Sequence, residues 1–134
     1  MSIIWDEKYS VGVDIIDQQH KQFVFIMDKL SKAIEEGKVK EVVDHILLEL
    51  EEYVTYHFGT EEAYFKKFNY EGTLEHVEVH KLFGEKLSDI KDKYKRNEIR
   101  MSLELVSLMY DWLTDHIETL DRKYIDCFRQ NGLI

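Results

Sequence analysis

The stretch LEHVEVHKLF, Leu74 to Phe83, sets His76 and His80 four residues apart. On an α-helix those positions lie one turn apart on one face, and two imidazoles so placed can grip one metal ion. The spacing alone is a weak signal, so the other histidines must decide it. His20 lies three and seven residues before Phe23 and Met27, and His57 lies seven after Leu50 and eight before Phe65. His76 and His80 bracket Val79 and lead on to Phe83 and Leu87, while His116 lies seven after Met109 and three after Leu113. These intervals keep step with apolar stripes, so five histidines are expected to point into a core. His45, between Val43 and Ile46, falls out of step and reads as a surface residue. Glu61 lies four after His57 on the same inward face. A buried carboxylate is costly unless it is paired or metal-bound.

Long helices are needed to position these groups. The chain has no proline and six scattered glycines, and few runs alternate as strands do. Four helical segments are expected. The first follows Asp17 as N-cap, stops near Gly37, and carries Phe23, Val24, Met27, Leu30 and Ile34 inward. The second runs from about Lys40 to Phe68 with Val43, Ile46, Leu47, Leu50, Val54, Phe65 and Phe68 on its stripe. The third follows Thr73 as N-cap, reaches about Tyr94, and presents Val79, Phe83, Leu87 and Ile90. The fourth starts near Asn97, carries Ile99, Leu103, Val106, Met109, Trp112 and Leu113, and continues irregularly towards Phe128. Short links between long helices make sequential neighbours antiparallel, so the expected fold is an all-α, up-down-up-down four-helix bundle. One domain is expected over residues 1–134, with an extended N-terminal arm at 1–17 and the bundle at about 18–130. Trp5 and Tyr9 of the arm are expected to pack on the bundle.

Depth along the bundle provides an independent test. With turns centred near residues 38, 70 and 96, His20 lies 18 residues before the first and His57 lies 19 after it. His57 and Glu61 lie 13 and 9 before the second turn, and His76 and His80 lie 6 and 10 after it. His76 and His80 lie 20 and 16 before the third, and His116 lies 20 after it. At about 1.5 Å per residue, all of these groups fall at nearly one level. Unrelated core histidines would scatter in depth. Asp121 lies five residues after His116, which on a regular helix is a rotation of about 140°, too far to share its face. A π-bulge or a break would bring it round. On the residues alone, Asp115 is an equal candidate.

The segments VDIIDQQHKQF, HFGTEE, HVEVH and WLTDHIETLD, in this order and spacing, resemble the hemerythrin family, especially its single-domain bacterial members. The resemblance covers essentially the whole chain. It implies two iron ions per chain with a bridging oxo or hydroxo group. His76, His80 and His116 are implied for one ion, His20 and His57 for the other, and Glu61 and Asp121 as bridges. Two six-coordinate ions have twelve positions. Five imidazoles, two bridging carboxylates and one bridging oxygen fill eleven, leaving one for a small ligand on the ion with two histidines. A tetrahedral structural zinc would use four ligands and leave none open. Phe58, Trp112, Leu113 and Ile117 match the family's apolar pocket around the open position. Carboxylate-rich di-iron proteins use Glu-x-x-His pairs, and this sequence has none.

The function implied by the resemblance is reversible O2 binding for carriage, storage or delivery, without enzyme activity. Nitric oxide and small anions such as azide are further ligands for the same position. The rival readings are an O2, redox or iron sensor acting through a separate partner, and a di-iron enzyme reducing nitric oxide or peroxide. Composition narrows the partners. The net charge of −9, with no basic patch, argues against nucleic acid. No apolar run approaches the roughly 20 residues that span a bilayer, so no membrane insertion is expected. The N-terminus lacks a signal-peptide pattern and the single Cys127 cannot form an intrachain disulfide, so a cytoplasmic location is expected.

Overall fold

The computed structural model describes residues 3–96 and 101–134. The expected helix start near Asn97 and the stripe position Ile99 lie outside them. Among the described residues there are helices and no strands. Four long elements form an antiparallel bundle: α1 (Asp14–Glu35), α2 (Val39–Phe68), α3 (Thr73–Lys95) and α4 (Met101–Asp111). The last continues as a π-helical segment (Trp112–Leu120), a 3-10 turn (Asp121–Tyr124) and a short α5 (Ile125–Gln130). Each helix packs on the next, and α4 returns to α1, which closes the bundle. No described helix is long and apolar enough to cross a membrane.

The turns follow from local chemistry. At the end of α1, Gly37 takes a φ of +69°. Its N–H donates to the Ile34 carbonyl at 3.2 Å and that of Lys38 to the Ala33 carbonyl at 2.8 Å. This pair is the Schellman arrangement, which favours glycine at the left-handed position. α2 ends on Asn69 with a φ of 51°, a conformation asparagine tolerates.

Two expected caps are corrected. α1 begins at Asp14 with Val13 as its cap, so Asp17 lies inside the helix. Asp17 instead fastens the arm, accepting from the Ser10 hydroxyl at 2.5 Å and the Val11 N–H at 2.8 Å. Gly72, not Thr73, is the cap of α3. The Thr73 hydroxyl donates back to the Tyr70 carbonyl at 2.5 Å, and no side chain caps the helix start.

The expected stripes of α1, α2 and α3 face inward, with Ile34, Val54, Phe68 and Val79 half-buried. Leu103 does not: it is 63% exposed. The buried line of α4 runs through Leu105, Met109, Trp112 and Leu113, and Leu103 lies about 200° round the helix from Leu105. Trp5 and Tyr9 pack on the main core as expected. That core is one of two apolar clusters. The larger spans Phe23 to Leu30, Val43 to Phe58, Phe83 to Ile90 and Leu105 to Ile117; the smaller holds Val11, Val13, Ile16, Phe65, Tyr124 and Phe128. On α1 the break between them falls at Gln19 and His20, on α2 near Glu61, and on the C-terminal element near Asp121. A polar layer divides the core there.

Candidate metal centre

That layer contains His20, His57, Glu61, His76, His80, His116 and Asp121, all buried, with both carboxylates at 0% exposure. α1 supplies His20, α2 supplies His57 and Glu61, α3 supplies His76 and His80, and the π segment supplies His116. Two groups able to hold a metal ion result, Glu61–His76–His80–His116 and His20–His57–Glu61–Asp121, with ligand atoms within 4.8 Å of one another in each. Glu61 belongs to both. Its Oε1 lies 3.1 Å from His57 Nε2 and 3.0 Å from His80 Nε2. Asp121 also faces both, with Oδ1 2.9 Å from the Nε2 atoms of His76 and His116 and Oδ2 2.8 Å from that of His20. His45 is the exception among the histidines, exposed and beside Glu49 at 2.8 Å, as its phase implies.

Only part of this proximity is hydrogen bonding: His20 Nε2 pairs with Asp121 Oδ2 at 2.8 Å and His76 Nε2 with His116 Nε2 at 3.2 Å. His57 Nε2, His80 Nε2, both Glu61 oxygens and Asp121 Oδ1 make no hydrogen bond despite these short separations. Nearly all buried polar groups in proteins find a partner. Ligand atoms gathered this closely, several of them buried and left without a hydrogen bond, fit metal ligation. The set of imidazole and carboxylate donors also fits iron among the metals that accept nitrogen and oxygen.

The π segment brings Asp121, and not Asp115, into this layer. The Asp121 N–H donates to the His116 carbonyl, a bond closing over five residues. This register stacks Asp121 over His116, where a regular helix would turn it about 140° away. Asp115 is exposed.

Charge balances within the layer. Burial and the neighbouring Asp121 push the Glu61 carboxyl up, but the imidazoles of His57 and His76 hold it well below the usual range. Burial likewise opposes Asp121, and His116, His20 and His57 bring it well below. Burial pulls the His57 imidazole down, yet the charges of Glu61 and Asp121 raise it to about 9. The same opposition raises His76 to about 9. At His116 burial wins, and its value falls to about 4. Without metal, protonated His57 and His76 therefore supply the positive charge that the two carboxylates require.

Aromatic rings line the layer. Phe58 stacks on His80 with centroids 3.8 Å apart, and Trp112 stacks on His116 at 3.6 Å. Leu113 and Ile117 are buried in the same cluster. Sequence reasoning missed three neighbours. Tyr53 stacks on His57 at 5.1 Å, and its place one turn before His57 was the available signal. Gln19 and Glu62 hold the outer nitrogens of His57 and His80, at 2.6 and 2.8 Å. No periodicity marks them, since each lies beside a ligand position and not on a stripe.

The family model described as the hemerythrin HHE cation binding domain matches residues 11–128, which include all seven converging residues. A bacteriohemerythrin of Pseudomonas aeruginosa is 29% identical over 129 residues, covering 96% of this chain and 83% of the relative. One from Clostridium acetobutylicum is 28% identical over 128 residues, covering 92% of this chain and 98% of the relative. Myohemerythrin-1 of Phascolopsis gouldii is 30% identical over 122 residues, covering 90% of each chain.

Proposed function

The chain belongs to the hemerythrin family, and from that premise we propose that it binds O2 reversibly at a pair of iron ions, for carriage, storage or delivery. His76, His80 and His116 would hold one ion, His20 and His57 the other, with Glu61 and Asp121 as bridges. The observation that carries this reading is the division of Asp121. Its Oδ1 faces His76 and His116 at 2.9 Å while its Oδ2 faces His20 at 2.8 Å. A carboxylate bridging two ions uses its oxygens in this way. A single tetrahedral zinc needs four ligands and no bridge.

When bound, the two irons supply a pair of electrons to O2 and recover it on release. The chain's own residues govern the rest. Five imidazoles against two carboxylates keep the negative charge of the shell low, which stabilises high oxidation states poorly and favours binding over activation. Phe58 and Trp112 lie flat on His80 and His116, covering those rings with apolar surface. With Leu113 and Ile117 they make surroundings in which separated charge is costly. O2 is thereby favoured to leave as the neutral molecule and not as a reduced anion.

The test is repeated oxygenation and deoxygenation of reduced, iron-loaded protein under optical readout. Stoichiometric uptake with full recovery of the reduced spectrum over many cycles is expected. Continuous consumption of O2 would reveal turnover and overturn the reading.

A further inference from the structure

The outer nitrogens of His57 and His80 are held by groups of different charge. His80 Nδ1 lies 2.8 Å from Glu62 Oε2, a carboxylate. His57 Nδ1 lies 2.6 Å from Gln19 Oε1, a neutral amide. The other three histidines of the layer have no such partner among the described residues: the Nδ1 atoms of His20, His76 and His116 are buried without a hydrogen bond there. One histidine in each metal-holding group is thus anchored from behind, in one case by a charge and in the other by a dipole.

The direction of the Gln19 contact is set by a chain that reaches the backbone. The Tyr56 carbonyl can only accept, so the Thr60 hydroxyl donates to it, at 2.8 Å. The Thr60 oxygen then accepts from the Gln19 amide nitrogen at 3.0 Å. The Gln19 carbonyl is left facing His57, so Nδ1 of that ring carries a proton, and when metal replaces the proton on Nε2 that nitrogen presents its lone pair to the layer. Gln19 itself is only 6% exposed. Glu62 reaches the same result by charge: its carboxylate accepts the Nδ1 proton of His80, and Nε2 again points inward. A carboxylate behind an imidazole also makes it a more basic ligand, whereas an amide orients the ring without adding charge.

Resting on the di-iron reading above, we propose that Gln19 and Glu62 are positioning residues that add an electronic difference to the two iron positions, beyond their difference in histidine count. The carboxylate of Glu62 favours the oxidised state of the iron held by His80. The amide of Gln19 leaves the iron held by His57 the more readily reduced of the two. The side where a small ligand would bind therefore keeps a neutral backing.

The experiment uses full-length protein and the Glu62→Gln variant, which keeps an oxygen acceptor for His80 and removes only the charge. Glu62 is 38% exposed, so this change is compatible with folding. Anaerobic Fe(II) titration and stepwise redox titration are run on both proteins. The variant is expected to hold two irons, to bind one of them about 10–100-fold more weakly, and to raise the potential of one step alone. Gln19→Glu is the converse, lowering the potential of the other step. If Glu62→Gln leaves both potentials unchanged, or moves both equally, the proposal is overturned while the di-iron reading stands. Wild-type protein that loads a number of irons other than two overturns the reading and the proposal together.

Discussion

A carboxylate buried without a partner is costly, and this chain buries two, Glu61 and Asp121, in one layer. In the metal-free protein His57 and His76 carry the compensating protons, each raised from 6.5 to about 9. The stabilisation from a raised histidine is fully present below its unfolded value and is lost as pH rises through its folded value. Metal-free protein should therefore lose stability as pH rises from about 6.5 to about 9. On the acid side His116, lowered to about 4, and both depressed carboxylates act oppositely, so stability should fall there as well. Thermal melts across this range check the expectation, and a flat profile above neutrality would contradict it. Iron would replace the protons on His57 and His76, so loaded protein should lack the alkaline decline. A second residue-level expectation concerns Leu113, buried one turn before His116. Leu113→Ala should keep both irons, since no ligand is lost, and should cost about 2–5 kcal/mol of stability. If Leu113 lines the O2 pocket, conversion of oxygenated protein to the inactive diferric form should also accelerate. An unchanged conversion rate would make it ordinary core.

Among the elements, the π segment from Trp112 to Leu120 has the most specific task. It places His116 and Asp121 over one another, although five residues separate them. The Thr119 hydroxyl keeps the same wide register by donating to the Thr114 carbonyl at 3.1 Å. A single alanine inserted between Glu118 and Thr119 would turn Asp121 by about a further 100°. Iron content should fall below two per chain while the helical signal in circular dichroism is retained. Two irons bound by the insertion variant would show that the segment re-registers freely and that its present winding is not required. The N-terminal arm is secured to the same region, since Arg122 donates to the carbonyls of Lys8 and Ser10 at 2.9 and 3.0 Å. Gly12 in the arm has a φ of +70°, and a Cβ there would meet the Arg129 guanidinium at 2.3 Å. The conformation is what favours glycine, since the Arg129 side chain is flexible at that end and could move aside.

Across the whole molecule the site interrupts the hydrophobic core. The two apolar clusters lie on either side of a layer of imidazoles and carboxylates, and that layer contributes desolvation cost where a bundle ordinarily gains from burial. A metal that binds the folded state alone shifts the balance back, by about 2.7 kcal/mol for each site when free metal is a hundredfold above its Kd. Removing iron with a chelator should therefore lower the melting temperature clearly, and returning it should restore the original value. Equal melting temperatures with and without iron would mean that the layer is satisfied without metal.

The sequence by itself determined the helices, their antiparallel order and the inward phase of five histidines and Glu61. Periodicity within one helix fixes which residues share a face, and short links fix the depth at which those faces meet. His45 was set apart from the other histidines by the same rule, and it is exposed. Periodicity could not choose between Asp115 and Asp121, because the choice rests on a π winding that leaves no stripe; the family resemblance selected Asp121, and the described geometry gives the reason. Nor could it find the work of Asp17, which resembles a helix cap and instead holds the arm. The pairing of Gln19 with His57 and of Glu62 with His80 was decided by tertiary structure alone. Those contacts cross between neighbouring helices and join residues 38 and 18 positions apart in the chain. The rotation of each helix about its axis, set by packing of the whole bundle, determines which polar neighbour meets a ligand's outer nitrogen.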